Sequence, residues 1–500
     1  MSDDEADPEL LALLAQSLGL GSRPEAPPST GVLKSAEYVY DNALDVSISS
    51  QGSKAAAELL YHQLRRRQYS TREWAKHELH PKPSGGEATV NFIFIMNLLN
   101  FSFWSELPEG ERFAVDYNGK RWTGYWSLVA ALQRALDEGH PITTPSFWST
   151  CSEDTISQIF RSTTAEPIPL LNERITLLRT ASTVLSDPTT SPLALIDQAN
   201  HSAARLVNLL TTHLPSCFAD TTTYRGRTVH LHKRAQILVA DLWACFNGSG
   251  LGAFDDIDTA LTMFADYRVP QMLQRLGVLW YSPRLEGKVR RGEMLEAGSE
   301  LEVEVRACSV WAVELLRREM ERRGCGEWEV EVEDHDEDKE HVGSASASVD
   351  ESRASEPHEG QAGDLQATTE ATTGEQAAVT DETVDHSANS GTEDIRRANP
   401  PQTSNATAPP PPAAEPRNEA VDPSAAPASF QQAQPEQQKA KPAKKIQVKL
   451  NAVLLDYLLY DTAKEQEKLM LEETDAGGER EHGPDGPNVL PHHRTRSIWY

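Results

Sequence analysis

Apolar positions recur at helical spacing through most of this chain, and two stretches lack any such pattern. Residues 35–48 predict a first helix and a short extended piece. Residues 54–67 predict a second helix with Leu59, Leu60 and Leu64 on one face. The most apolar run, 90–104, is too short for a membrane span and too apolar for a surface helix, which makes it a core element. Further helices are expected over 125–136, 153–160, 170–186 and 193–214. Residues 233–246 are apolar almost all round and should be buried. Residues 300–306 alternate like a strand before helix returns over 308–318. Residues 448–461 form the last predicted helix, and the closing Ile498, Trp499 and Tyr500 should be docked.

The patternless stretches set the domain boundaries. Residues 1–30 read as a disordered tail around a short Leu-rich segment. Residues 331–445 read as a disordered insert, first acidic, then rich in Ser, Ala, Thr, Glu and Pro. The remaining 31–330 and 446–500 are expected to make one mainly helical domain with a few short strands, because the last segment is too short and apolar to stand alone. The basic run 441–449 reads as a solvated lead-in to the last helix rather than a nucleic-acid patch.

Composition narrows the function classes. The net charge of -28 makes the chain a poor candidate for wrapping nucleic acid, where basic charge supplies most of the affinity. Five widely spaced cysteines with no CxxC pair favour free thiols in a reducing compartment. The acidic first residues lack a signal pattern, and no run could span a membrane. The expectation is a soluble cytoplasmic protein, with the nucleus left open.

Phosphate loops, HExxH, Ser-centred elbows and zinc spacings are absent from the sequence. What remains is a set of acids in apolar surroundings. Asp266 lies in Phe264-Ala265-Asp266-Tyr267-Arg268-Val269-Pro270-Gln271, at a predicted break before a short helix that Pro270 helps to start and Gly277 closes. It is read either as a side chain facing a cavity or as an acid stabilising a helix N-terminus. Lys233 and Asp241 lie about 80° apart on their helix and could border one pocket, unless Lys233 is simply exposed in the first turn. His77 and His80 share a loop. Tyr457 and Asp461 share one face of the last helix, Asp456 and Tyr460 the neighbouring one. Carboxylates among aromatic faces suit cleavage of a glycosidic bond, where a cationic transition state needs a negative charge and a flat base needs stacking.

Six segments in order carry a resemblance: LNFSFW at 99–104, YWSLVAAL at 125–132, KRAQILVADLW at 233–243, FADYRVPQMLQRLGVL at 264–279, EVRACSVWAVELL at 304–316, and HHRTRSIWY at 492–500. Together they resemble the queuosine salvage protein family, the queuosine 5′-phosphate N-glycosylases. The likeness covers nearly all of the predicted ordered part and leaves out the tail and the insert. It implies hydrolysis of queuosine 5′-monophosphate to queuine and ribose 5-phosphate, and a helical fold like that of helix-hairpin-helix DNA glycosylases. It implies no metal and no organic cofactor.

The resemblance makes Asp266 the catalytic carboxylate and Phe264 an aromatic stacked on the base. His80 becomes a pocket histidine, with His77 an open alternative. Asp456, Tyr457 and Asp461 become readers of the base and its amino-cyclopentenediol arm, and Lys233 a cation beside the ribose phosphate. Asn97 stands where many members carry aspartate. The competing readings are a queuine- or nucleoside-binding protein without turnover, and a glycosylase acting on bases in nucleic acid. The expected partner is a small molecule, with no membrane and no stable nucleic-acid contact. The insert is open to unknown protein partners.

Overall fold

The computed structural model describes residues 27–332, 444–475 and 490–500 of the chain, without the side chains of 467–475. All of these belong to one compact unit, drawn from Met1–Asp336 and Lys441–Tyr500. The expected insert falls almost wholly, and the expected tail mostly, outside the described residues.

This unit is mainly helical. Among the described residues its strands form four two-stranded antiparallel pairs, each too small to make a layer of its own. Packing is divided between two apolar clusters. One gathers around the helices Glu87–Leu98, Tyr125–Asp137, Leu171–Leu185, Ala203–His213 and Lys233–Cys245. The other gathers around Val32–Asn42, Ser50–Arg66, Arg268–Arg275, Glu300–Arg322 and the front of Ala452–Asp475. Residues 261–265 run along the seam. Leu261 and Phe264 belong to the first cluster, Met263 and Ala265 to the second, while Trp243 and Tyr457 pack against both.

Several expectations from the pattern need correction. Residues 300–306 are helical, the first two turns of Glu300–Arg322. Ser299 caps that helix by accepting from the N–H of Glu302, and Glu300 and Glu302 suit its positive end. The alternation misled because Glu302, Glu304 and Arg306 are buried alongside Val303 and Val305, so charge and burial do not separate. Residues 193–214 form two helices, broken where Asn200 and His201 adopt φ of 47° and 59°. Leu59 points to solvent at 47% exposure, since its neighbour Leu60 takes the inward position with Leu64 four residues on.

The basic run also differs from expectation. Lys444–Lys449 is a strand paired with Glu327–Val332, with Val332 opposite Lys444 and Glu327 opposite Lys449. Acidic and basic side chains face each other on the exposed side, while Trp328, Val330 and Val332 turn inward. The indole N–H of Trp328 donates to the carbonyl of Tyr69 at 2.9 Å, fastening the pair beside the cavity described below.

The two outer motifs of the sequence meet in space. Buried Arg174 donates to the carbonyls of Leu99 and Phe101, and Trp104 donates to the carbonyl of Thr495 at 2.8 Å. Arg496 lies over the Trp104 ring at 3.7 Å, and Tyr500 is buried. Among the described residues no helix is long and apolar enough to cross a membrane.

Candidate active site

A cavity of about 200 Å³ opens at the seam between the two clusters. Its wall includes every site residue that the sequence singled out: His80, Lys233, Phe264, Asp266, Asp456, Tyr457 and Asp461, and His77 with them.

The Lys233–Cys245 helix supplies Lys233, Ile237 and Asp241, four residues apart and therefore stacked along one face. Lys233 is 5% exposed, so the exposed-lysine reading does not hold. Its Nζ donates to the carbonyl of Asn100 at 3.3 Å. Burial lowers its pKa to about 8, and nearby Asp266 opposes that fall.

Asp266 lies in the irregular stretch between the helices Ile257–Ala260 and Arg268–Arg275. Its Oδ1 accepts the N–H groups of Arg268 at 2.8 Å and Val269 at 3.0 Å. Both sequence readings are thus true of one side chain: it caps a helix and it lines the cavity. Burial raises its pKa, while Lys233 and those two N–H groups pull it back. Asp456 comes from the last helix, and its Oδ1 accepts the N–H of Phe264 at 2.9 Å. Burial, then the charge of Asp266, push its carboxyl well above the ordinary range. Two buried carboxyls close together cannot both ionise cheaply. Of the two, Asp266 is the more strongly held as an anion, with Lys233 and two N–H groups of a helix start beside it, while Asp456 is the more strongly driven towards its protonated form.

Asp241 organises the middle of the wall. Its Oδ1 accepts from Trp74 Nε1 at 2.8 Å and from the Tyr457 hydroxyl at 2.9 Å, and its Oδ2 from Asn97 Nδ2 at 2.8 Å. Burial raises its pKa to about 6 despite these donors. Asn97 is suited to this place because an amide donates; an aspartate there would face Asp241 as a second acid and one of the two would have to hold a proton.

Aromatic faces complete the wall. Trp74 stacks on His80 with centroids 3.7 Å apart, and His77 stacks on Trp126 at 3.3 Å. His80 Nδ1 lies 2.7 Å from the carbonyl of Trp74, which can only accept, so the proton sits on Nδ1. His80 Nε2 is left facing the Tyr125 hydroxyl at 3.0 Å. Burial lowers the pKa of His80 to about 3 and that of His77 to about 4, so both rings are neutral near pH 7. Across the cavity Phe264 and Tyr457 lie 6.2 Å apart. At one end Asp461 accepts from Tyr69 at 2.5 Å, and burial raises its pKa to about 6.

Sequence reasoning did not assign Tyr69, Glu73, Trp74, Asn100, Tyr125, Trp126 or Tyr460, which also line the cavity. Asp241 carried a signal, a charge in an otherwise apolar helix. The aromatic residues carried none, because in a sequence they are indistinguishable from core. Among the described residues no cluster of three His, Cys, Asp or Glu side chains is placed to hold a metal ion.

The cavity is thus acid-walled and aromatic-faced with one buried lysine, a lining of the kind that small-molecule sites use. Comparison with known proteins is in keeping with this. The family described as queuosine salvage protein matches residues 79–338. A protein of Schizosaccharomyces pombe is 43% identical over 293 residues, covering 57% of this chain and 84% of the relative. One of Bos taurus is 44% identical over 286 residues, covering 57% and 83%, and one of Sphaerobacter thermophilus is 41% identical over 291 residues, covering 58% and 86%. All three bear the name queuosine 5′-phosphate N-glycosylase/hydrolase. The chain belongs to the queuosine salvage protein family.

Proposed function

We propose that this protein hydrolyses the N-glycosidic bond of queuosine 5′-monophosphate, releasing queuine and ribose 5-phosphate. The observation that carries the reading is the convergence of Asp266, Asp456 and Lys233 on one cavity in a chain so similar to enzymes of that name. Ionised Asp266 stabilises the positive charge that develops at C1′ as the bond to the base breaks, and it orients a water to the same carbon. Water supplies hydroxide to C1′ and a proton to the departing base. Position 7 of this deazaguanine base is carbon, so protonation must fall on another ring nitrogen or on the carbonyl oxygen. Protonated Asp456 is the acid the cavity offers: it passes its proton to the departing base, and the proton lost by the attacking water restores it, so that the net transfer is from water to base. Lys233 meets the 5′-phosphate. Phe264, Tyr457 and the Trp74–His80 stack hold the flat base, and Asp461 favours the cationic amine of its side arm.

The same resemblance supports a finer fold relationship to helix-hairpin-helix DNA glycosylases, and a mononucleotide rather than a polymer as substrate. Its setting is the cytoplasm, with the nucleus left open, and residues 331–445 are the part open to protein partners.

The test is incubation of purified protein with queuosine 5′-monophosphate, following free queuine by chromatography, with Asp266→Asn alongside. Release by the wild type alone is expected. Intact ligand bound without release would make this a binding protein instead. Release of base from tRNA at a comparable rate would make the substrate a nucleic acid.

A further inference from the structure

Behind the cavity lies a buried ion pair that the reaction scheme does not use. Arg306 and Asp220 expose 3% and 4% of their side chains, and neither lines the cavity. Arg306 Nη2 and Nη1 donate to Asp220 Oδ2 and Oδ1 at 2.5 and 3.2 Å. Nε of the same guanidinium donates to the carbonyl of Ala265 at 3.0 Å, the residue before Asp266. The remaining donors reach Glu302 Oε1 at 3.4 Å and the carbonyl of Trp499 at 3.2 Å. All five guanidinium N–H bonds therefore have an acceptor, which fixes the plane of the group.

Asp220 reaches in the opposite direction. Its Oδ2 accepts the N–H of Lys233 at 3.3 Å, and its carbonyl accepts those of Leu231 at 2.9 Å and His232 at 3.2 Å. These bonds hold His232 at φ 49° and ψ 36°, a left-handed turn that a residue with a Cβ adopts only at a cost. That turn starts the next helix with Lys233 facing inward. A chain of contacts thus runs from the backbone beside Asp266, through Arg306 and Asp220, to the backbone of Lys233.

A buried pair of this kind seldom outweighs its desolvation as a source of stability, and apolar residues of the same volume would often serve as well. Its distinctive product is fixed geometry. We propose that Arg306 and Asp220 are positioning residues for the hydrolysis. They set the separation of Asp266 and Lys233, so that C1′ meets the carboxylate when the 5′-phosphate meets the ammonium. The proposal rests on the hydrolase reading above.

Arg306→Lys keeps the charge and removes the fork, and Asp220→Asn keeps the shape and removes the charge. Glu304→Gln is the control: it lies on the same helix at the same depth, but its carboxylate holds residues 44–46 instead. Each variant is assayed well below its unfolding midpoint for kcat and KM on queuosine 5′-monophosphate and on queuosine nucleoside, and by calorimetry for ribose 5-phosphate. The expected result is a fall in kcat of about a hundredfold for Arg306→Lys, the scale of an ångström-sized misplacement. Asp220→Asn should lose about tenfold in preference for the phosphorylated substrate and about tenfold in ribose 5-phosphate affinity, the scale of one charged contact. Glu304→Gln should lose stability alone. If all three variants lower only the unfolding midpoint, the pair is structural and the proposal fails. Wild type that binds ribose 5-phosphate yet releases no queuine would sink the hydrolase reading, while the calorimetric comparison would still decide the brace. If neither variant folds, hydrogen exchange on the wild type decides. Ribose 5-phosphate should slow exchange at the Lys233 amide at least tenfold, and an unchanged rate would overturn the proposal.

Discussion

Glu304 and Asp456 are both buried carboxylates, at 0% and 5% exposure, and they sit in the same helical unit. Glu304 receives the N–H groups of Leu44, Asp45 and Val46 and the hydroxyl of Tyr224. Asp456 receives one N–H, from Phe264, and stands beside a second acid. A carboxylate given four donors is a staple, holding a loop to a helix. One given a single donor and placed beside a second acid is poorly satisfied when ionised, and keeping it there costs stability. The region that merely holds the fold satisfies its buried charge. Facing the cavity the satisfaction is uneven: Asp241 has three side-chain donors, Asp266 two backbone N–H groups, and Asp456 one.

The largest expected effect separates the two regions outright. Asp266→Asn keeps an oxygen for the helix cap and removes the negative charge, so turnover should fall by at least about 10³-fold with a small change in unfolding midpoint. Steady-state rates beside a melting curve check this, and near wild-type turnover would remove the catalytic role. Glu304→Gln should do the reverse, costing about 2–4 kcal/mol in denaturant unfolding while turnover per folded molecule stays unchanged.

Lys233→Met should come next. Loss of one charged contact to phosphate is worth about 1.5–3 kcal/mol, or roughly 10–150-fold in affinity for the 5′-phosphate, with much less lost for the nucleoside. Equal losses for both ligands would take the phosphate away from Lys233.

A smaller effect tests the cost of unsettled charge directly. Asp461 has a folded pKa of about 6 against 3.8 for an ordinary aspartate. A raised acid pKa means the folded state holds its proton more tightly. The penalty is absent below 3.8, grows between 3.8 and about 6, and is complete above. Asp461→Asn should therefore stabilise the protein by about 1–2 kcal/mol at pH 7.5, after allowance for partial exposure, and by nothing near pH 3. A gain equal at both pH values would show that the charge was not the cause. Replacing residues 333–443 by Asn-Gly should have the smallest effect. Val332 and Lys444 already face each other across an antiparallel ladder, so a two-residue turn can join them. The expected kcat/KM is within about twofold of wild type, as a two-residue turn leaves the ladder intact, and loss of folded protein would contradict it.

The amino-acid sequence by itself determined most of the helices, the cavity-facing stripe of 233–246, the break that carries Asp266, and the paired faces of the last helix. These are consequences of local chain geometry: 100° per residue, proline's fixed φ and glycine's permitted one. Gly277, at φ 69°, closes its helix where the sequence placed it. Only the tertiary structure decided which charges are stapled inside the fold and which line the cavity. Glu304 and Asp266 look alike in sequence, each an acid among apolar neighbours, but Glu304 draws donors from residues 44–46 at the far end of the chain, while Asp266 takes its two from Arg268 and Val269 just ahead of it. The first two turns of the helix 300–322 were misread for the same reason, since Glu304 and Arg306 find partners far along the chain. Trp74, Tyr125 and Trp126 joined the cavity without any signal, because a ring lining a pocket and a ring filling a core obey one local pattern. Partner choice over long separations is settled by packing, and packing is not written in any window of the sequence.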